Sequence, residues 1–242
     1  MRIAVLSDIH GNMDAFESVL SDIASKRVDQ IISLGDMIGY GAQPEPVIAE
    51  IRSRRIVTIM GNHELAVVKR KYMSWFNPQA RQSLTQTIDM LSPDSIRFLS
   101  RLNHFHHQDS FYFVHGYPPD SPLTYLFQVS EERMMKTFHE TDFQIFFVGH
   151  THILELIRFN RNGFSRSLLA EGMVRLQPDS RYIVNIGSVG QPRDGNICAK
   201  YGILDSRAHT LDIRFIPYDF RSAADKIIAA GLPPGHARRL MN

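Results

Sequence analysis

Five short polar clusters each close an apolar run, and this repeated pairing restricts what the chain can fold into. The clusters are Asp8-Ile9-His10, Gly35-Asp36, Gly61-Asn62-His63-Glu64, His115-Gly116 and Gly149-His150-Thr151-His152. Ile3 to Leu6 leads into the first; Ile31, Ile32 and Leu34 into the second; Ile56 to Met60 into the third; Phe111 to Val114 into the fourth; and Ile145 to Val148 into the fifth. A short apolar run bounded by polar residues or glycine reads as a buried strand. In open α/β sheets, ligands and catalytic groups gather at the carboxyl ends of strands. The pattern therefore predicts strands that carry residues distant in sequence to one rim.

The residue types at that rim point to metal chemistry. Asp8, Asp36 and Asn62 supply oxygen; His10, His115, His150 and His152 supply imidazole. Mixed imidazole and carboxylate donors suit borderline first-row ions. With no thiolate in the set, a structural zinc knot is not indicated. Seven donors exceed the needs of one tetrahedral ion and match two ions that share a carboxylate, a recurring device of phosphoester hydrolysis. Buried carboxylates without a counter-charge are costly, which also argues for bound cations.

Composition narrows the class further. The 242 residues are 43% hydrophobic, enough for a single domain over residues 1–242 with a sizeable core. The 27 basic and 25 acidic residues leave a net charge of +2, too balanced to argue for nucleic acid or an anionic membrane. Cys198 is the single cysteine, which excludes an intrachain disulfide framework and suits a reducing, cytoplasmic location. The apolar run at the N-terminus is too short for a signal-peptide core or a membrane span.

Strand and helix alternate over the first sixty residues. Met13, Phe16, Leu20 and Ile23 recur at helical spacing, and Pro44 or Pro46 opens a second helix with Val47, Ile48 and Ile51 on one face. This βαβαβ rhythm predicts a parallel sheet covered by helices. Residues 65–101 read as a helical insertion between two clusters, with Ser92-Pro93 starting a helix that ends near Leu102. Beyond residue 150, strands are expected at 154–160, 164–169, 181–186, 200–205 and 210–216, with a tight hairpin at Asn162-Gly163. A last helix over 223–230 stops at Gly231 and two prolines.

Taken in order, Asp-x-His, Gly-Asp, Gly-Asn-His-Glu, His-Gly and Gly-His-x-His resemble the whole signature of the calcineurin-like metallophosphoesterases, from residue 8 to residue 152. The run Asn185 to Arg193 is similar to a loop of the small bacterial phosphodiesterase-like members. The resemblance implies a four-layer α-β-β-α sandwich of two mixed sheets flanked by helices. It implies two divalent ions (Mn, Fe, Ni, Co or Zn). The first would lie on Asp8, His10, Asp36 and His152, the second on Asp36, Asn62, His115 and His150, with Asp36 as the bridge. His63 takes the catalytic place beside the metals, donating to the phosphate or the leaving oxygen.

Other residues keep two readings each. Glu64 orients His63 or caps the next helix. Asn12 binds substrate or caps its helix. Arg193 binds phosphate charge or forms a surface ion pair. Trp75 and Phe76 line a substrate pocket or anchor the helical segment. His104, His106 and His107 have no matching carboxylates and read as unrelated to the site.

Two departures separate this chain from the Ser/Thr protein phosphatases and the bacterial dinucleoside tetraphosphatases. Gly39 and Tyr40 stand where those carry an Asp and an Arg, and Ile59-Met60 replaces the Arg before Gly-Asn-His-Glu. The expected activity is hydrolysis of a small phosphoester, first a phosphodiester, with a metal-bridging hydroxide as nucleophile. The alternatives are a phosphomonoesterase or nucleotide or protein phosphatase, a protein-binding scaffold of the same fold, and a DNA nuclease. No membrane partner is expected, nucleic acid is disfavoured, and a homo-oligomer is left open.

Overall fold

A computed structural model describes residues 1–241. The first half follows the predicted rhythm. β1 (Arg2–Leu6), α1 (Met13–Ala24), β2 (Gln30–Ser33), α2 (Pro44–Ser53) and β3 (Val57–Thr58) alternate, and β1, β2 and β3 pair in parallel. Helix α1 turns Phe16, Val19, Leu20 and Ile23 inward, and Pro44 opens α2 at its first turn. Strand β3 is shorter than the run Ile56 to Met60 predicts. Ile59 N still donates to Ser33 O, but the Met60 amide leaves the ladder and donates to Asn103 O.

Next come α3 (Asn62–Val68), a 3-10 turn over Arg70–Trp75, α4 (Pro78–Asp89) and α5 (Pro93–Leu99). Asn77 and Ser92 cap α4 and α5 by accepting from Ala80 N and Ser95 N. Then follow β4 (Phe105–Gln108), β5 (Phe111–Val114), α6 (Glu131–His139), β6 (Ile145–Val148), β7 (Leu154–Asn160), β8 (Gly163–Leu168), β9 (Gly172–Arg175), β10 (Arg181–Ile186), β11 (Ala199–Asp205) and β12 (Thr210–Ile216). The chain ends in α7 (Phe220–Ala229) and α8 (Pro234–Arg239). Outside the sequence expectations lie α6, capped by Ser130, the edge strand β9, and α8. The two prolines after Gly231 do not only stop a helix; Pro234 starts α8.

The strands form two six-stranded mixed sheets, in the orders β3-β2-β1-β11-β12-β9 and β4-β5-β6-β10-β7-β8. One apolar core lies between the sheets, where Ile3, Val5 and Ile32 of the first face Phe113, Phe147 and Val184 of the second. A second core covers the outer face of the first sheet with α1 and α2, and a third packs α6 on the second sheet. This is the predicted helix-sheet-sheet-helix layering. The carboxyl ends of β1, β2, β5 and β6 meet at one edge of the sandwich. Among the described residues, no helix is long and apolar enough to cross a membrane.

Candidate metal centre

All seven predicted donors converge at that edge, and all are buried. Backbone geometry is what aims them. Asp8, His10, Asp36, His150 and His152 all adopt positive φ, between 51° and 68°. For residues with a Cβ this costs on the order of 1–3 kcal/mol each. The conformations are held by loop hydrogen bonds: Asp8 N to Gly35 O, His10 N to Asp36 O, and His150 N to the Asp8 carboxylate. The same twist fans His150 and His152 apart, so the two join different groups.

In the first group, Asp8 Oδ1 is 3.2 Å from His152 Nε2 and 3.6 Å from His10 Nε2, and those two nitrogens are 3.1 Å apart. In the second, His115 Nε2 is 3.1 Å from Asn62 Oδ1 and 3.2 Å from His150 Nδ1. Asp36 Oδ2 reaches both, at 3.8 Å from His10 Nε2 and 3.3 Å from His115 Nε2.

The outer nitrogens decide what those inner atoms are. His10, His115 and His152 donate from Nδ1 to the carbonyls of Ile38, Leu34 and Gln191, at 3.0, 2.9 and 2.6 Å. A carbonyl only accepts, so each Nδ1 carries the proton, and in a neutral ring Nε2 then presents a lone pair. Lone pair therefore faces lone pair across His10 and His152. Asp8 Oδ1 is buried with no hydrogen-bond partner. Facing lone pairs beside an unpartnered carboxylate oxygen are what a cation would satisfy, and backbone acceptors behind histidines are the usual support of metal ligands. The residues thus fit divalent ions.

Ionisation agrees. Burial alone would raise the carboxyls of Asp8 and Asp36, but facing imidazoles (His152 for Asp8, His115 for Asp36) hold both well below the usual carboxylate range. Burial drives His150 down to about 3 and His152 down to about 4, leaving neutral rings. Burial also opposes charge on His115, yet Asp36 overrides it and holds the ring at about 9. Its proton is a positive charge that the protein itself can place between the two carboxylates, and a metal ion would displace it.

His63 stands beside the rim, with Nε2 3.8 Å from Asp36 Oδ2. Phe76 and Tyr40 clamp its ring edgewise at centroid distances of 4.8 and 4.6 Å. Gly39 explains the missing partner: a Cβ there would lie 2.1 Å from His63 Nδ1, so no carboxylate-bearing residue fits, and Nδ1 is buried without a hydrogen bond. Burial holds the imidazole neutral, outweighing the charge of Asp36.

Asn12 and Glu64 both cap helices. Asn12 does not reach outward. Its Oδ1 accepts from Ala15 N as the cap of α1, and its Nδ2 donates to Gly190 O and Tyr218 Oη. Glu64 does not touch His63. Its carboxylate accepts from the amides of Gly61, Asp36 and Met37 at 2.8–2.9 Å, which caps α3 and grips the Asp36 loop together. Burial and the nearby Asp36 raise Glu64 to about 7 against those amide bonds.

Arg193 lies at the rim, its guanidinium donating to Gln191 Oε1 at 3.1 Å and Tyr40 Oη at 3.5 Å. No carboxylate among the described residues is within ion-pair distance of it. His104, His106 and His107 sit on or before the edge strand β4, outside the donor set. Trp75 is exposed and Phe76 buried, and both line a cleft of about 230 Å³ above Asn62 and His150.

Further residues support the donors. Ser188 Oγ donates to Asp8 O, and Asn185 Nδ2 donates to Gly149 O, tying the Asn185–Arg193 loop under the donors. Close packing there requires Gly190, where a Cβ would fall 1.7 Å from Ile9 O. Tyr125 stacks on His150 with centroids 3.8 Å apart. The 185–193 motif signals the loop, but no local pattern marks Tyr125.

The comparisons with known proteins agree with this geometry. A family model described as the calcineurin-like phosphoesterase superfamily domain matches residues 1–209. The uncharacterized protein MJ0912 of Methanocaldococcus jannaschii is 33% identical over 243 residues, which covers 98% of this chain and 96% of that protein. A metallophosphoesterase from Sphaerobacter thermophilus superposes with a TM-score of 0.86 at 31% identity, over 100% of this chain and 99% of that one. The hypothetical protein PH1004 from Pyrococcus horikoshii OT3 shares the fold, with a TM-score of 0.80 at 18% identity over 99% and 97% of the two chains. With a family match over most of its length and a relative a third identical along nearly all of it, this chain belongs to the calcineurin-like phosphoesterase superfamily, as a metal-dependent phosphoesterase.

Proposed function

We propose that the chain hydrolyses phosphodiesters at a dinuclear centre. Asp8, His10, Asp36 and His152 hold one divalent ion, and Asp36, Asn62, His115 and His150 hold the other. The observation that carries this reading is the facing of buried acceptors in two groups that meet at Asp36 Oδ2. Ions of the Mn, Fe, Co, Ni or Zn type would supply Lewis acidity to the phosphoryl oxygens and make a water acidic enough to be the nucleophile.

The chain's own residues do the rest. His63, clamped by aromatic rings, holds an N–H toward the phosphoryl or leaving oxygen; a neutral ring donates there without adding charge. Tyr125 stacked on His150 and the tied 185–193 loop keep the ligand set rigid. The cleft over Asn62 and His150 is walled by Tyr40, Trp75, Phe76, Leu123 and Tyr125, all neutral. Such a wall suits the single charge and the organic substituents of a diester better than a dianionic monoester. Trp75 and Phe76 come from the helical stretch 65–101, which on this reading shapes substrate choice rather than chemistry. Arg193 supplies positive charge for an anionic part of the substrate.

The test is reconstitution of chelator-treated protein with each divalent ion, followed by elemental analysis and assays on bis(p-nitrophenyl) phosphate and p-nitrophenyl phosphate. Two equivalents of metal and preference for the diester are expected. At most one tight equivalent would remove the dinuclear centre from the reading, and higher kcat/KM on the monoester would reverse the substrate class.

A further inference from the structure

The cleft over the metal centre does not end at its aromatic wall. Tyr40, Asn77, Ala80 and Tyr125 also line a second lobe of about 190 Å³, whose far side is made by Arg193, His236 and Arg239. The two lobes are close. His10 packs on Tyr40 with ring centroids 4.5 Å apart, and the Tyr40 ring lies 4.7 Å from that of His236. The second lobe therefore begins one side chain away from the ligands.

Its lining is positive and unsatisfied. Arg193 meets only neutral oxygens, those of Gln191 and Tyr40, and its Nε is buried without a hydrogen-bond partner. The carboxylate next in sequence, Asp194, is held elsewhere: it lies 2.8 Å from Nζ of the buried Lys200. Arg239 is exposed, and no carboxylate among residues 1–241 lies within 4.0 Å of its guanidinium or of that of Arg193. His236 is buried, and its Nε2 lacks a partner. Burial holds this ring at about 4, so it adds no charge to the lobe.

Two guanidiniums on one lobe repel each other, and a desolvated N–H without an acceptor is costly. An anion with several acceptor oxygens relieves both, and guanidinium recognises phosphate through paired, charge-assisted bonds. His236 and Arg239 belong to α8, beyond residue 209 where the family match ends. Helix α8 is seated by its own small core with α7, through Ala223, Ile227, Leu232, Ala237 and Leu240. Gln86 of α4 adds a hydrogen bond to Gly231 O. The lobe is therefore built on packed structure rather than on a loose tail.

We infer that Arg193, His236 and Arg239 form a second anion subsite, which takes a phosphate carried by the substrate at a short distance from the phosphoryl group that reacts. The substrate class is then a phosphoester bearing a second phosphate. This inference rests on the proposed metal centre for the placement of the first phosphoryl group. The lobe selects for the second charge, and the aromatic wall of Tyr40 and Tyr125 packs against the organic part between the two.

The test reads binding rather than turnover. Short α,ω-alkane bisphosphonates of increasing chain length, and the matching alkyl monophosphonates, are titrated calorimetrically into metal-reconstituted protein. At one chain length the bisphosphonate should bind at least about 10-fold more tightly, the equivalent of one charge-assisted hydrogen bond. Arg239→Gln, at an exposed position, should abolish most of that advantage, and Arg239→Lys should restore part of it. Equal affinity for the paired ligands in the unaltered protein overturns the inference, and so does an advantage that survives Arg239→Gln undiminished. If the discrimination is present but no phosphoester is cleaved with any metal, the proposed function falls while the subsite stands.

Discussion

Two polar clusters in this molecule are built on opposite principles. On the outer side of the first sheet, the Asp22 carboxylate accepts from Tyr201 Oη at 2.6 Å and from Arg214 Nε and Nη2 at 3.2 Å each, with Lys26 Nζ at 3.6 Å. Donors and charges match, and the network completes itself. At the rim, lone pairs face lone pairs across His10 and His152, Asp8 Oδ1 lacks a donor and five residues hold left-handed backbone. A cluster that complements itself stabilises the fold. A cluster whose lone pairs face one another costs stability until something positive enters, which is the mark of a binding site.

The largest expected effect that tests this contrast comes from Asp36→Asn. The bridge becomes neutral, and kcat/KM on bis(p-nitrophenyl) phosphate should fall by at least about 10³-fold, with metal content reduced by elemental analysis. Retained activity would mean that the two groups do not depend on a shared carboxylate.

His63→Ala should lower kcat by about 10²-fold while both metal equivalents remain, as for a general acid–base or donor group. Loss of metal in this variant would make His63 a ligand. Full activity would leave it only a packing role between Tyr40 and Phe76.

Metal should also act on the fold itself. An ion that binds only the native state adds about 2.7 kcal/mol at a free concentration 100 times its Kd. Chelation should thus lower Tm in the unaltered protein and have little effect in Asp36→Asn. Because His115 is held at about 9 without metal, metal affinity should weaken as pH falls below that value and the displaced proton competes. An affinity flat from pH 9 to pH 6 would remove His115 from the ligand set.

Asp22→Asn provides the smallest effect and the control. Losing a charged acceptor of two side chains should cost about 1–2 kcal/mol by denaturant titration at neutral pH, with kcat unchanged. Burial would raise the Asp22 carboxyl, but Tyr201 and Arg214 hold it below the ordinary value. A lowered carboxyl stabilises fully above the unfolded pKa of about 3.9, and that contribution is lost as pH falls through the lower folded value. The stability gap between the two proteins should therefore close in acid. A gap independent of pH would show that the ionised carboxylate contributes nothing.

How much of this could be read without coordinates depends on whether the information is local. The five apolar runs with polar ends, the 3.6-residue spacing in α1 and α2, and the cap Ser92 are written in neighbouring residues, so the layered fold and the seven residues that converge at its rim were legible. Helix α6 was missed although Ser130, Glu131 and Glu132 mark its start, because Met134 and Phe138 alone make a thin apolar face. Edge strand β9 buries little and carries little pattern.

The tertiary structure alone decided how the site is supported. The Nδ1 protons of His10, His115 and His152 go to carbonyls of Ile38, Leu34 and Gln191, and a carbonyl is the same on every residue. The grip of Glu64 on the Asp36 loop uses amides 25 or more residues away, equally anonymous. Asn12 was ambiguous until the positions of Ala15 N and Gly190 O settled what its amide binds. His236 and Arg239, some two hundred residues from His10, reach the cleft only because α8 packs on α7 beside Tyr40. Side-chain chemistry and its local period are properties of the chain; which backbone groups and distant helices meet it depends on how the layers pack.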